Sequence, residues 1–75
     1  EIGYSIAENT FVSVTIYDVK GRLVKSLVNQ NQDAGIYVTN WNSKNEQGVS
    51  MSAGMYLYTI QTEKFKDTKK MILLK

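Results

Sequence analysis

Residues 14–28, VTIYDVKGRLVKSLV, constrain this chain more than any other stretch. They read as two strands and the turn between them. Val12, Val14 and Ile16 alternate with Ser13, Thr15 and Tyr17, the period of two that marks a half-buried strand. Asp18-Val19-Lys20-Gly21 then has the chemistry of a type I turn ending in a left-handed glycine. An Asp at the first position accepts hydrogen bonds from the N–H groups ahead of it, and Gly21 takes a positive φ without steric cost. On the return side Leu23-Val24 and Leu27-Val28 flank Lys25-Ser26. Alternation is weaker there and leaves open which face is buried. Tyr17, Asp18 and Gly21 are therefore expected as scaffold residues of a hairpin.

Strand patterns recur along the rest of the chain, at 2–7, 11–18, 22–28, 36–42, 55–62 and 68–75, with a short extended piece at 49–51. Nowhere do apolar residues hold a helical spacing that strand alternation does not explain better. Polar turns separate the strands. Residues 29–35 read as a solvated loop of mostly amides, 42–48 as a second polar loop closed by Gly48, and 63–67 as a turn. The segment 55–62 is apolar on both faces, with Tyr56, Tyr58 and Ile60 on one and Met55, Leu57 and Thr59 on the other, so it is expected to be central. The expected fold is all-β: an antiparallel immunoglobulin-like or fibronectin-III-like β-sandwich of six to seven strands. Tyr56 follows Gly54 by two and is placed to bond its hydroxyl back to upstream backbone. Trp41, the one tryptophan, is expected to face inward, since no other side chain adds as much to so small a core.

Composition removes whole classes of chemistry. The chain has 75 residues, no Cys, no His and no Pro. At this length a domain buries about 60% of the surface its unfolded chain exposes, and here no disulfide adds to that. Thiolate or imidazole metal sites, His-based acid–base catalysis and His-containing triads have no residues to build on. Nine Lys and Arg against seven Asp and Glu, net +2, make a mixed surface and not a nucleic-acid footprint. The longest apolar run near the end, 71–74, is of strand size and far short of a membrane span. The opening residues lack a signal-peptide pattern and begin inside a strand pattern without Met, so the chain is expected to be a single domain, 1–75, forming the C-terminal piece of a longer polypeptide.

The remaining polar groups form no recognisable catalytic or metal-binding pattern. Asn42, Asn45 and Glu46 are oxygen donors at short spacing, but a calcium loop usually brings several carboxylates and this one has a single acid beside Lys44. Ser50 and Ser52 have no base in sequence range, and the acidic residues are scattered among turns and ends. A glycosidase pair would need a cleft that one small sandwich does not readily provide. No enzyme and no cofactor are expected. Five of the nine basic residues, Lys64, Lys66, Lys69, Lys70 and Lys75, lie near the C-terminus. They read either as solubilising charges on an edge strand or as a patch recognised by an acidic partner surface.

Taken together, IYDVKGRLVKSL, AGIYVTNW, SAGMYLYTI and the terminal KKMILLK resemble the C-terminal sorting domain of the type IX secretion system. Tyr17, Asp18, Gly21, Gly35, Trp41, Gly54, Tyr56, Lys70 and Lys75 occupy the places of that family's recurring pattern. The resemblance implies an immunoglobulin-like sandwich that acts as a secretion address. Its partners would be the translocon and sortase-like proteins at the outer membrane, and the location secreted or cell-surface by way of the periplasm. Lys69, Lys70, Met71, Ile72, Leu73, Leu74 and Lys75 would form the partner-binding strand. Two departures stand out: the family's Asn-Pro-rich opening is absent, which leaves room for a missing first strand, and Trp41 is followed by Asn42-Ser43 where Asp-Gly is usual. The immunoglobulin-like domain of the flagellar hook-capping protein is similar in the hairpin, the Trp strand and the Gly-x-Tyr strand. It implies an alternative, a structural or assembly module (or surface-filament subunit) with self-association. A carbohydrate-binding accessory module, using Trp41, Tyr37 and the amide-rich loops, is the third reading.

Overall fold

The computed structural model describes residues 1–74, which form six strands and no helix among them. These are β1 (Ile2–Ile6), β2 (Thr10–Asp18), β3 (Leu23–Gln32), β4 (Gly35–Thr39), β5 (Gly54–Gln61) and β6 (Lys66–Leu73). They build an antiparallel sandwich of immunoglobulin type. One sheet has the order β3-β2-β5-β6 and the other is the pair β1-β4. β5 lies between β2 and β6, the central position its two apolar faces require.

The organising hairpin closes as its residues dictate. Gly21 N–H donates to Asp18 O at 3.0 Å, and Asp18 N–H donates to Arg22 O at 3.0 Å. Gly21 has φ +85°, the left-handed region that a side chain resists. Asp18 Oδ1 accepts from Lys20 N and Arg22 N, each at 2.9 Å, while Oδ2 accepts from Arg22 Nε at 2.8 Å. These bonds, led by that from the Arg22 backbone, hold the Asp18 carboxyl below its ordinary pKa.

The blurred alternation of β3 has a cause. Val14 pairs with Val28 but Thr15 with Ser26, so Leu27 is an extra residue; Ile16 pairs with Lys25 but Tyr17 with Leu23, so Val24 is another. Each bulge advances the side-chain phase by one. Val24 is thereby buried, and Leu27 and Val28 both pack against the core. β3 also runs further than its composition suggests. Residues 29–32, expected in a loop, remain paired with β2 as far as Thr10↔Gln32, leaving only Asp33-Ala34 as the turn. Backbone pairing needs no particular side chain, and an edge strand can carry Asn and Gln into solvent on its open face.

Other boundaries shift for similar reasons. β4 stops at Thr39, where its ladder to β1 ends at Ile2↔Thr39, so 40–42 leave the sheet. The expected piece at 49–51 reduces to one bridge, Lys44↔Ser50. β6 begins at Lys66 because Thr62 closes a tight turn: its N–H donates to Phe65 O at 2.9 Å, and its Oγ1 accepts from Lys64 N and Phe65 N.

The core lies between the sheets and consists of Ile2, Ile6, Val12, Val14, Ile16, Val24, Tyr56 and Ile60. Val12, Val14 and Ile16 are fully buried, each contributing roughly 1.5–3 kcal/mol on leaving water. At one end Tyr4 and Tyr37 stack at 5.5 Å, with their hydroxyls donating to Gln32 Oε1 and to Asp33 O. Burial raises the Tyr4 phenol above its usual pKa. At the other end Trp41 meets Tyr56 edge-on at 5.1 Å and donates its ring N–H to Lys44 O at 2.9 Å. Trp41 is half-buried and packs against the core, so it points inward at the rim of the sandwich.

Candidate partner-binding edge

A four-stranded sheet has two edges, and this one treats them differently. β3 is the first edge. The loop between β4 and β5 folds back over it: Glu46 N–H donates to Val24 O at 3.1 Å, and Glu46 Oε1 accepts from Ser26 N at 3.0 Å. One residue thus supplies both a donor and an acceptor to the free side of β3, as a neighbouring strand would. Lys25 Nζ lies 3.9 Å from the same carboxylate. The oxygens that raised the possibility of calcium serve this loop. Asn45 Oδ1 accepts from Gln47 N and Val49 N, and Asn42 Oδ1 from Lys44 N. Gly48 N–H closes the turn onto Asn45 O at 3.0 Å, as expected of that glycine.

β6 is the second edge. Its only strand neighbour is β5, and no loop hydrogen bond to its outer side occurs among the described residues. Pairing with β5 assigns the faces. Asp67, Lys69, Met71 and Leu73 stand opposite Ile60, Tyr58, Tyr56 and Gly54 on the inner face. Lys66, Thr68, Lys70 and Ile72 stand opposite Gln61, Thr59, Leu57 and Met55 on the outer face. The run Lys69, Lys70, Met71, Ile72, Leu73 and Leu74 is thereby divided. Met71 and Leu73 pack against the core, whereas Lys69 and Lys70 are exposed and Ile72 and Leu74 are 59% and 83% exposed. Lys75 lies outside the described residues. Met71 and Leu73 hold the strand in place, and Lys70, Ile72 and Leu74 stay exposed to solvent.

The scaffold residues lie off the open side of this edge, although Gly54 and Tyr56 pair with Leu73 and Met71 of β6. Tyr17 is half-buried on the outer face between Leu23 and Leu57. Gly35 opens β4 opposite Ile6. Gly54 opens β5 at φ +147°, and two residues on Tyr56 donates its hydroxyl to Ser52 O at 2.7 Å, the corner bond expected from its spacing. Tyr37 and Trp41 both pack against the core, so they do not form an exposed aromatic platform. The hollow lined by Ile6, Glu8, Thr10, Thr62, Lys64 and Phe65 has a volume of about 80 Å³, well below an ordinary ligand site, and the larger hollows of about 350–420 Å³ are open depressions of the surface. What the spacing of residues did not reveal was the role of Glu46. A lone acid in an Asn-rich loop carries no sign that it will reach a strand about twenty residues earlier.

Fold and edges together define an immunoglobulin-like β-sandwich module. The chain belongs to the FlgD Ig-like domain family, which matches residues 4–65. The matched region runs from the middle of β1 through β5 and ends one residue before β6. No curated protein and no solved structure gave a match.

Proposed function

We propose that this module is non-catalytic and joins the polypeptide that carries it to a partner protein through the open β6 edge. The observation that carries the reading is the asymmetry of the sheet: Glu46 caps β3 at Val24 and Ser26, whereas no loop hydrogen bond reaches the open side of β6 among the described residues. An uncovered strand presents backbone donors and acceptors to a partner strand, and its alternate side chains select that partner. Membership of the FlgD Ig-like family supports a structural or assembly role of the hook-capping kind.

A second reading, a secretion address for the type IX machinery, draws on the same edge. Its support is that β6, which holds Lys69 to Leu73 of the Lys69–Lys75 segment such an address would present, is the edge without a covering loop bond among the described residues. The partners would then be the outer-membrane translocon and sortase-like proteins, with the product secreted or held at the cell surface. Removing 71–75 would also strip Met71 and Leu73 from the core, so charge reversal at exposed positions is the cleaner perturbation. Lys69→Glu/Lys70→Glu in the full-length protein is expected to leave the domain folded. Retention of the protein in the periplasm would favour the address. Normal export with loss of an assembled complex would favour the structural role. Normal export and normal assembly would remove β6 from the function altogether.

A further inference from the structure

We infer that the β6 edge takes an acidic extended segment of a different protein in preference to a second copy of this chain. The inference rests on the edge reading above and adds the chemistry and register of the partner. Its first support is how the charges on β6 are divided. On the inner face Lys69 Nζ lies 3.8 Å from Asp67 Oδ2, so that lysine has a counter-charge. On the outer face Lys66 and Lys70 are exposed and have no ion-pair partner among the described residues. They stand four residues apart on one side of the strand, roughly 13 Å along it. Beyond them on the same face comes exposed Ile72. The outer side of the edge therefore reads basic, hydroxyl, basic, apolar, through Lys66, Thr68, Lys70 and Ile72.

The second support is what happens when two copies meet. Two β6 strands related by a two-fold axis pair antiparallel about a residue that faces its own counterpart. Centred on Lys69 or Lys70, the registers of greatest overlap place that lysine opposite itself. Centred on Thr68, one neighbouring register places Lys66 opposite Lys70, and the register of equal overlap centred on Met71 sets Lys69 and Lys70 against the apolar Leu73 and Ile72, with no opposite charge to meet them. Like charges directly opposite destabilise a strand pair, and lysines on an edge are a common barrier to self-pairing. A partner strand with carboxylates four residues apart and an apolar residue two positions beyond removes the same repulsion. It places an acid opposite each outer lysine and an apolar side chain beside Ile72. Coulombic attraction then speeds encounter, and the backbone ladder holds the product.

The test uses the chain itself and two synthetic ten-residue strand peptides of Thr and Val. One carries Glu at positions four apart, the other Lys at the same positions. Binding is read by fluorescence anisotropy of labelled peptide, and location by amide hydrogen exchange along β6 with peptide in millimolar excess. We expect the Glu peptide to bind, to protect Lys66–Leu73, and to weaken as salt rises through the range where the Debye length falls below about 10 Å. Lys66→Glu/Lys70→Glu is expected to lose the Glu peptide by about tenfold or more and to accept the Lys peptide instead. Lys66→Gln/Lys70→Gln serves as the neutral control and is expected to bind the two peptides equally. Protection of β6 by both peptides alike in the wild type would overturn the acidic partner and leave the edge reading standing. Protection elsewhere, or nowhere, with either peptide would overturn both. A concentration-dependent dimer protected at β6 would overturn the preference over self-pairing.

Discussion

Glu46→Ala tests whether the β3 edge is covered in the way the geometry indicates. The substitution removes the acceptor of the Ser26 N–H and leaves the Glu46 N–H to Val24 O bond in place. A hydrogen bond to a charged group contributes about 1.5–3 kcal/mol net when well buried. Here the carboxylate is nearly half exposed, which brings the bond to about 1 kcal/mol. The Lys25 contact at 3.9 Å is partly screened and adds a few tenths of a kcal/mol at most. The expected loss is therefore about 1–1.5 kcal/mol, or roughly 5–10 °C in Tm for a domain of this size. Glu46→Gln keeps an acceptor oxygen and should lose about half as much. Urea denaturation gives the energy, and hydrogen exchange at the Ser26 amide gives the location. Exchange at Ser26 should rise while Val12 and Val14 on the neighbouring strand keep their protection. The reasoning fails if Glu46→Ala lies within about 0.3 kcal/mol of wild type and Ser26 exchange is unchanged.

Further outcomes follow from the core and the turns. Ile16→Ala opens a cavity at a fully buried site and should remove about 3–4 kcal/mol, a large share of the roughly 4–11 kcal/mol available to 75 residues, while Ile16→Val should remove about 1; urea midpoints check both. Gly21→Ala places a Cβ that meets nothing within 4 Å, so its loss of about 1–2 kcal/mol in thermal unfolding reads the cost of φ +85° alone. Tyr56→Phe removes the bond to Ser52 O and should lose about 1 kcal/mol, with the Trp41 emission maximum unmoved because the ring contact survives. Asp18 has a lowered pKa in the folded chain, so its stabilisation is present above the unfolded value near 4 and fades as pH falls through the folded one; the Tm difference between wild type and Asp18→Asn should shrink as pH is lowered from about 5.

The parts of the fold that were legible in the sequence were those where one residue type has few alternatives. Asp18 and Gly21 define a turn because few other residues bond backbone in that way or take positive φ. The alternation of β2 names its buried face because a slip of one residue would turn Val12, Val14 and Ile16 outward. Tyr56 was legible through its distance from Gly54. The rest depended on pairing, which a strand's own residues do not encode. Asn29 to Gln32 are poor strand formers held in a strand by β2. The two bulges in β3 appear in the sequence only as doubled apolar residues, Leu23-Val24 and Leu27-Val28. At the candidate site the lysines of β6 were visible, but their division between a neutralised inner face and a bare outer face required the register with β5.

Glu46 and the lysines of β6 are best understood as two answers to one physical problem. A four-stranded sheet in a sandwich of this size always leaves two rows of unpaired backbone, and either row can recruit an unwanted strand. The covered edge needs a loop long enough to reach β3, and the fourteen residues between Thr39 and Gly54 supply it. Among the described residues β6 is joined to β5 only by a turn of four residues, Thr62 to Phe65, too short to fold back along it. Charge is a second means of guarding an edge, and it discriminates where a loop only blocks. A covering loop excludes strands of any charge, whereas Lys66 and Lys70, on the inference above, disfavour basic strands and favour acidic ones. An edge guarded by one sign of charge is thus selective by construction, and reversing Lys66 and Lys70 should change which strands it accepts without closing it.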